Sequence, residues 1–239
     1  MAASSASAHT FFLLPDSFQV HGSSQFVIGA TVGSAFPTPE VALTADRAER
    51  TWIVGAGNPQ LHVQGADAKS LLLQVADARP GTIVAAVRSK PRDVDYAEDR
   101  IPLILQEYRF APEAAAAVDR LQKPRTWQVS SRRFAKTMVC VEQCGASAGK
   151  PLYGMLEFVA RDPGQQQFQL IANGRPLANY PVDLVAGDGK PQHLQSDASA
   201  VVHLPPSAKG RMMLFAAMLT PPAAGSRFTM DLSSLTFER

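Results

Sequence analysis

The sequence predicts a mainly β protein made of two antiparallel β-sandwich domains, with a short helical insertion in the first. Three observations carry that reading. Apolar runs are short and are cut repeatedly by the 16 glycines and 18 prolines of the 239-residue chain, a pattern that suits strands and turns better than helices. One alanine-rich stretch alone has helical spacing. A linker of small residues, Gly145-Ala146-Ser147-Ala148-Gly149-Lys150-Pro151, separates two stretches of similar patterning, as expected of a domain boundary.

In chain order, Ala6-Ser7-Ala8 comes first. This small-x-small triplet is what a signal peptidase cuts, leaving His9 as the mature N-terminus and residues 1–8 as the remnant of a truncated signal peptide. The alternative is a disordered Ala/Ser tail. Residues 9–145 form the first expected domain. Its strands are read at Ser17-Phe18-Gln19-Val20, around Phe26-Val27-Ile28, at Thr51-Trp52-Ile53-Val54, at Leu71-Leu72-Leu73 and at Thr82-Ile83-Val84-Ala85-Ala86-Val87, with turn residues between them. The helical insertion is placed near residues 98–123. Ile101, Leu105 and Tyr108 share a helical face, and Pro112-Glu113 opens Ala114-Ala115-Ala116-Ala117-Val118 with the residue types that start helices. A strand follows at Phe134-Ala135-Lys136-Thr137-Met138-Val139-Cys140-Val141. Residues 150–239 form the second domain. Its short runs, from Leu156-Glu157-Phe158-Val159 to Ser234-Leu235-Thr236-Phe237, are separated by turns such as Asn173-Gly174 and Lys209-Gly210 at the spacing of an immunoglobulin-like sandwich.

Composition narrows the function classes. With 23 basic and 21 acidic residues the net charge is only +2, which provides no field for nucleic acid or an anionic membrane. No apolar run reaches 18 residues, so no transmembrane helix is expected. The N-terminal triplet makes the periplasm the expected location.

Candidate chemistry is sparse. A free amine beside the imidazole of His9 would chelate a borderline metal ion such as nickel, cobalt, copper or zinc. His21 and His62 are the further ligands expected, with His193 and His203 in reserve, and folding must assemble any such site because no two histidines lie within four residues of each other. Cys140 and Cys144 are a disulfide if a turn brings them together and two free thiols if the strand continues through them. Gly145-Ala146-Ser147-Ala148-Gly149 matches a nucleophile elbow, and His193 or His203 with Asp183 or Asp188 would complete the triad order. The strand-to-helix context that an elbow needs is missing, so a non-catalytic protein is expected. Asp93, Asp95, Glu98 and Asp99 read as a solvated entry to the helical insertion. Met212, Met213 and Met218 read as core. Exposure of Tyr153, Tyr180 or Trp127 would instead favour a carbohydrate or receptor surface.

Three stretches in order resemble a known family: Ala8-His9-Thr10-Phe11-Phe12-Leu13-Leu14-Pro15, Gly33-Ser34-Ala35-Phe36-Pro37 and Arg133-Phe134-Ala135-Lys136. Gly174-Arg175-Pro176-Leu177, Ser196-Asp197-Ala198-Ser199 and the closing Leu235-Thr236-Phe237 extend the resemblance over nearly the whole chain from His9. The family is the bacterial periplasmic domain of unknown function 4198. The resemblance implies a periplasmic two-part β protein with a transthyretin-like C-terminal module and no established catalysis, linked with nickel or cobalt uptake. Its implied partners are a TonB-dependent outer-membrane receptor or an inner-membrane metal transporter. In this pattern relatives carry histidine after the glycine of Gly-x-x-Phe-Pro and again in the penultimate long strand. Ser34 and Ala217 stand at those places here, which removes two implied ligands.

Overall fold

The computed structural model describes residues 9–145, 149–153, 155–162, 164–187 and 190–239. It is mainly β, with three open sheets and no barrel. The first sheet joins β1 (Thr10–Pro15), β3 (Phe26–Gly33), β7 (Leu71–Ala78) and β6 (Gly57–Ala66) in that order, with β4 (Val41–Ala42) added on β3. A small sheet pairs β11 (Leu156–Ala160), β12 (Gln167–Ala172), β13 (Arg175–Pro176) and β16 (Val201–His203). Between them runs a nine-stranded sheet. Its path is β15 (Pro191–Gln195), β14 (Pro181–Ala186), β17 (Arg211–Thr220), β18 (Phe228–Glu238), β10 (Thr126–Val141), β8 (Gly81–Ser89) and β5 (Ala48–Val54).

Strand β10 organises this sheet because its 16 residues are long enough to hold two partners on each edge. One edge takes β9 (Arg92–Ala97) over Thr126 to Ser131 and then β8 over Met138 to Val141. The other takes β18 over Val129 to Thr137 and then β2 (Gln19–Val20). The pairings with β18 and β2 are parallel, whereas antiparallel strands alone were expected. Parallel neighbours need a long crossover, and for β18 the crossover is everything between residues 142 and 227. The nine-stranded sheet therefore passes through both expected domains.

Alternation along the strands gives each face its own cover. Ala135 and Val139 of β10 point into a core with Phe11, Ile28, Leu73 and Ile83 under the first sheet. Met138 of β10, Leu235 and Phe237 of β18 and Met212 and Leu214 of β17 point the other way, onto Phe158, Phe168 and Leu170 of the small sheet. Met213, next to Met212, instead packs on Phe12 and Phe36. Met212 and Met213 are thus core residues and Met218 is partly buried against the small-sheet core, in line with the sequence reading.

The helical insertion forms where expected, as α1 (Ile101–Tyr108) and α2 (Pro112–Asp119). Ile101, Ile104 and Tyr108 bury one face of α1. With Val118 they cover Trp127 and Val129 of β10 and Phe215, Leu219 and Met230 of β17 and β18. The pair fills the part of the central face that the first sheet does not reach. Among the described residues no helix is long and apolar enough to cross a membrane.

Two local features settle questions of spacing. β10 ends at Val141, and Glu142 adopts a left-handed conformation with φ 57°. The resulting turn brings Cys144 back to Cys140, their Cα atoms 4.8 Å apart and their sulfurs bonded. The tail of residues 1–8, Ser147 of the elbow pattern and Asp188 lie outside the described residues.

Candidate functional site

The segment that opens β1 stands at the seam between the first sheet and the helical pair. Thr10 lines a cleft of about 120 Å³ on one side of that seam. Phe11 lines a groove of about 270 Å³ on the other. His9, immediately before them, has a side chain 59% exposed.

The cleft is built by close packing at the end of β3. A Cβ on Gly33 would meet the carbonyl oxygen of Thr38 at 2.5 Å, so only glycine allows the 34–38 turn to fold back this tightly. Phe36 anchors the turn against Phe12, their rings edge-on at 5.5 Å. This presents Ser34 to the cleft and to Glu40. The Ser34 N–H donates to Glu40 Oε1 at 3.0 Å and the Ser34 hydroxyl donates to the same oxygen. Those two bonds, the hydroxyl's first, hold the Glu40 carboxyl below the usual carboxylate range. Glu40 Oε2 lies 3.7 Å from His9 Nε2, and the His9 carbonyl accepts from Arg133 Nη1 at 3.1 Å.

Across the cleft stand Glu107 and Tyr108 of α1 and Asp183 of β14. Glu107 Oε1 is shielded from solvent and has no hydrogen-bond partner among the described residues. Burial pushes its carboxyl up to about 7, with Arg100 pulling weakly the other way. Burial likewise raises the Tyr108 hydroxyl to about 12, which keeps it a neutral donor. Asp183 is occupied. Arg109, which ends α1 in the left-handed region, donates to Asp183 Oδ1 at 2.5 Å, and His193 Nδ1 lies 2.7 Å from the same oxygen. The β14–β15 register places Asp183 opposite His193 and so explains the pair.

The pH dependence of Glu107 follows from this burial. Its folded-state value lies above the ordinary 4.5, so the folded protein holds the proton more firmly and stability falls as pH rises through the window from about 4.5 to about 7. The loss should be on the order of 1–2 kcal/mol, less than the full shift because water partly reaches the side chain. Urea unfolding at pH 5 and pH 8 checks this: Glu107→Gln should remove most of the difference between the two midpoints.

The histidines named from sequence are dispersed. His21 faces Glu142 at 3.4 Å, His62 lies on β6 opposite Gln74, and His203 pairs with Asp197 at 3.0 Å. Among the described residues no group of three or more His, Cys, Asp or Glu side chains is placed to hold a metal ion. The expected set of His9, His21 and His62 is therefore not gathered: His9 precedes β1, His21 follows β2, and His62 lies within β6 opposite Gln74. Of the triad residues, Asp183 and His193 do meet, while His203 is held by Asp197. The acidic entry to the insertion is tied up by arginines. Glu98 takes the guanidinium of Arg125, whose hydrogen bonds hold it down at about 2, and Asp93 and Asp95 face Arg227. Trp127 and Tyr180 are buried, and Tyr153 is half-buried.

Sequence reasoning missed Glu40, Glu107 and the arginines of the groove. One signal was available for Glu107: it lies a turn from Ile104, on the flank of the buried face of α1. Nothing in the pattern marked Glu40, which reaches Ser34 only through the folded turn.

A family model described as "Domain of unknown function (DUF4198)" matches residues 6–220. The chain belongs to that family. The matched span takes in His9, the Gly33 to Pro37 turn, Glu40, α1 and the β14–β15 hairpin, so the DUF4198 unit includes the whole cleft. No curated protein matches the chain.

Proposed function

We propose that this DUF4198 protein is a non-catalytic binding protein of the periplasm that takes a transition-metal ion at its mature N-terminus, as an accessory to nickel, cobalt or copper uptake. The observation that carries the reading is the setting of His9. Its imidazole is exposed at the rim of the cleft and Nε2 faces the Glu40 carboxylate. A histidine that ligates through one ring nitrogen typically gives the other to a carboxylate. With Nε2 directed to Glu40, Nδ1 and the freed amine remain as a chelating pair beside that carboxylate. Ser34, the position at which the resemblance implies a second histidine, adjoins the same carboxylate. The donors fit zinc, copper, nickel or cobalt as a site of few protein ligands. A TonB-dependent receptor or an inner-membrane metal transporter is the partner class this role requires. The finer architecture belongs to the same reading: sandwich units 9–145 and 150–239, the second transthyretin-like, which share the central sheet and keep separate cores on its two faces.

Calorimetric titration of copper, nickel, cobalt and zinc tests it, comparing the chain that begins at His9 with the chain that retains residues 1–8. Binding should be confined to the His9 form, be lost in His9→Ala, and weaken as pH falls through the histidine range because the ligand nitrogens must be deprotonated. Equal metal uptake by both forms would sink the proposal.

A second reading, an envelope module that binds a receptor or carbohydrate without metal, is supported by a different patch. Trp52 packs edge-on to Phe134 and at 5.7 Å from Tyr153, with Arg50 and Arg88 over the rings. Aromatic rings with flanking donors are the composition of a sugar or protein contact.

A further inference from the structure

The groove on the other side of β1 has the opposite character from the cleft. We propose that it binds a small organic anion, with the acid group held by Arg47, Arg92 and Arg133 and the apolar body lying on Phe11, Leu43 and Tyr96. The site is independent of metal at His9.

Its placement follows from strand alternation. On β9 the residues Arg92, Val94 and Tyr96 point to one face, and the register sets Arg92 opposite Ser131 of β10, two residues from Arg133. Arg47 enters from the turn before β5, where its Nη2 donates to the carbonyls of Lys90 and Pro91 and is thereby fixed. Three arginines thus line one groove that, among the described residues, no acidic side chain lines.

Six other arginines are used differently. Arg88, Arg109, Arg125, Arg132, Arg211 and Arg227 each have a carboxylate within ion-pair distance. Among the described residues Arg47, Arg92 and Arg133 have none. Arg133 gives one N–H to the His9 carbonyl, and a guanidinium carries five donors, so among the described residues most of its donors are left for a ligand.

A second observation is independent of charge. Ser131 is only 6% exposed and lines the groove, yet its hydroxyl has no hydrogen-bond partner among the described residues. A buried hydroxyl left unpaired is destabilising, and an oxygen of a bound anion would satisfy it. The hydroxyl of Tyr96, kept neutral mainly by burial, lies in the field of Arg133 and Arg92 and offers a further donor.

Size and floor identify the class of ligand. The groove holds about 270 Å³, on the order of nine water volumes, more than a single inorganic ion fills. Phe11 and Leu43 are core residues whose edges form its floor, so apolar area is available beside the charges. A carboxylate on a small ring or short alkyl chain meets both requirements. Planar bidentate pairing with guanidinium groups favours such an acid over a point anion.

The full chain is titrated by calorimetry with benzoate, octanoate and naphthoate, and beside them with benzamide and inorganic phosphate, while amide shifts are followed by NMR. At least one carboxylate should saturate a single site and shift amides of β9, β10 and the turn before β5. Arg92→Gln should weaken that carboxylate about tenfold or more, the scale of one lost charge-assisted bond. Ser131→Ala should weaken it several-fold with a urea midpoint no lower than that of wild type. Because Arg92 has no ion-pair partner to lose among the described residues, its variant should fold, and the undiminished midpoint of Ser131→Ala provides a second fold control. The proposal is overturned if no carboxylate saturates, if Arg92→Gln binds as wild type, or if benzamide binds equally well. Phosphate binding as tightly as the best carboxylate would overturn the organic half of the assignment. None of these outcomes depends on metal at His9, so failure here and failure of the metal reading remain distinguishable.

Discussion

Residues 9–145 made as a separate polypeptide will not fold into a cooperative unit. The nine β10 residues from Val129 to Thr137 take their partners from β18, and without it that edge is bare. The first sheet also leans on β18, since Ser234 Oγ donates to the Phe11 carbonyl at 2.7 Å and Thr236 Oγ1 to the Leu13 carbonyl at 2.6 Å. Phe215, Leu219, Phe228, Met230 and Leu232 disappear from beneath the helices. Each buried apolar side chain of that size contributes about 1.5–3 kcal/mol, so the loss matches or exceeds the whole stability of a typical domain, about 5–15 kcal/mol. The intact chain should show one urea transition, seen alike by far-UV circular dichroism and tryptophan fluorescence. The fragment should show poor NMR dispersion and no transition, with native dispersion returning when residues 150–239 are supplied. A dispersed spectrum and a cooperative melt from the fragment alone would refute this account of the shared sheet.

Lys136→Met should cost about 3–5 kcal/mol, the penalty for removing one partner of a buried ion pair. Lys136 on β10 is 2% exposed and Glu157 on β11 is fully buried. The ammonium donates to Glu157 Oε2 at 3.1 Å and to the Phe158 carbonyl at 2.7 Å. The carboxylate also accepts from the N–H groups of Leu152 and Tyr153, each at 3.1 Å. The pair therefore ties the central sheet to the small sheet and holds the start of the second half in place. Adding Glu157→Gln to Lys136→Met should recover at least about 1 kcal/mol, because the amide oxygen still serves one of those N–H groups while the unpaired charge is gone. Burial pulls the lysine below its ordinary value. On the approach to pH 10.5, above the Glu107 window, the folded state then binds fewer protons than the unfolded chain, so wild-type stability should rise with pH there and the rise should be absent in Lys136→Met. Additive effects of the two substitutions in urea unfolding would show that the residues do not act as a pair.

How much of this was legible before folding varies by element. Helix α1 was readable because Ile101 and Tyr108 repeat at helical spacing and face the core together. The strand at Phe134 to Val141 was readable as a β-branched run, but its first part, Thr126 to Arg133, was not, since Arg132 and Arg133 look like a solvated break. They are tolerated because Asp231 of β18 receives Arg132 through two bonds, at 2.6 and 2.7 Å. Strand β6 was missed because its residues are largely exposed at a sheet edge, where no alternation is enforced. Cys140 and Cys144 were ambiguous until Glu142 turned the chain.

By itself the sequence determined the β class, the helical insertion, the family and the chemical identity of His9, because periodicity, turn residues and short motifs are local properties of the chain. Only the tertiary structure decided that β18 enters beside β10, that His9 meets Glu40 instead of His21 or His62, and that three arginines with no ion pair among the described residues share one groove. Those outcomes rest on register between strands far apart in sequence, and a parallel pairing across so long a crossover leaves no trace in either strand alone.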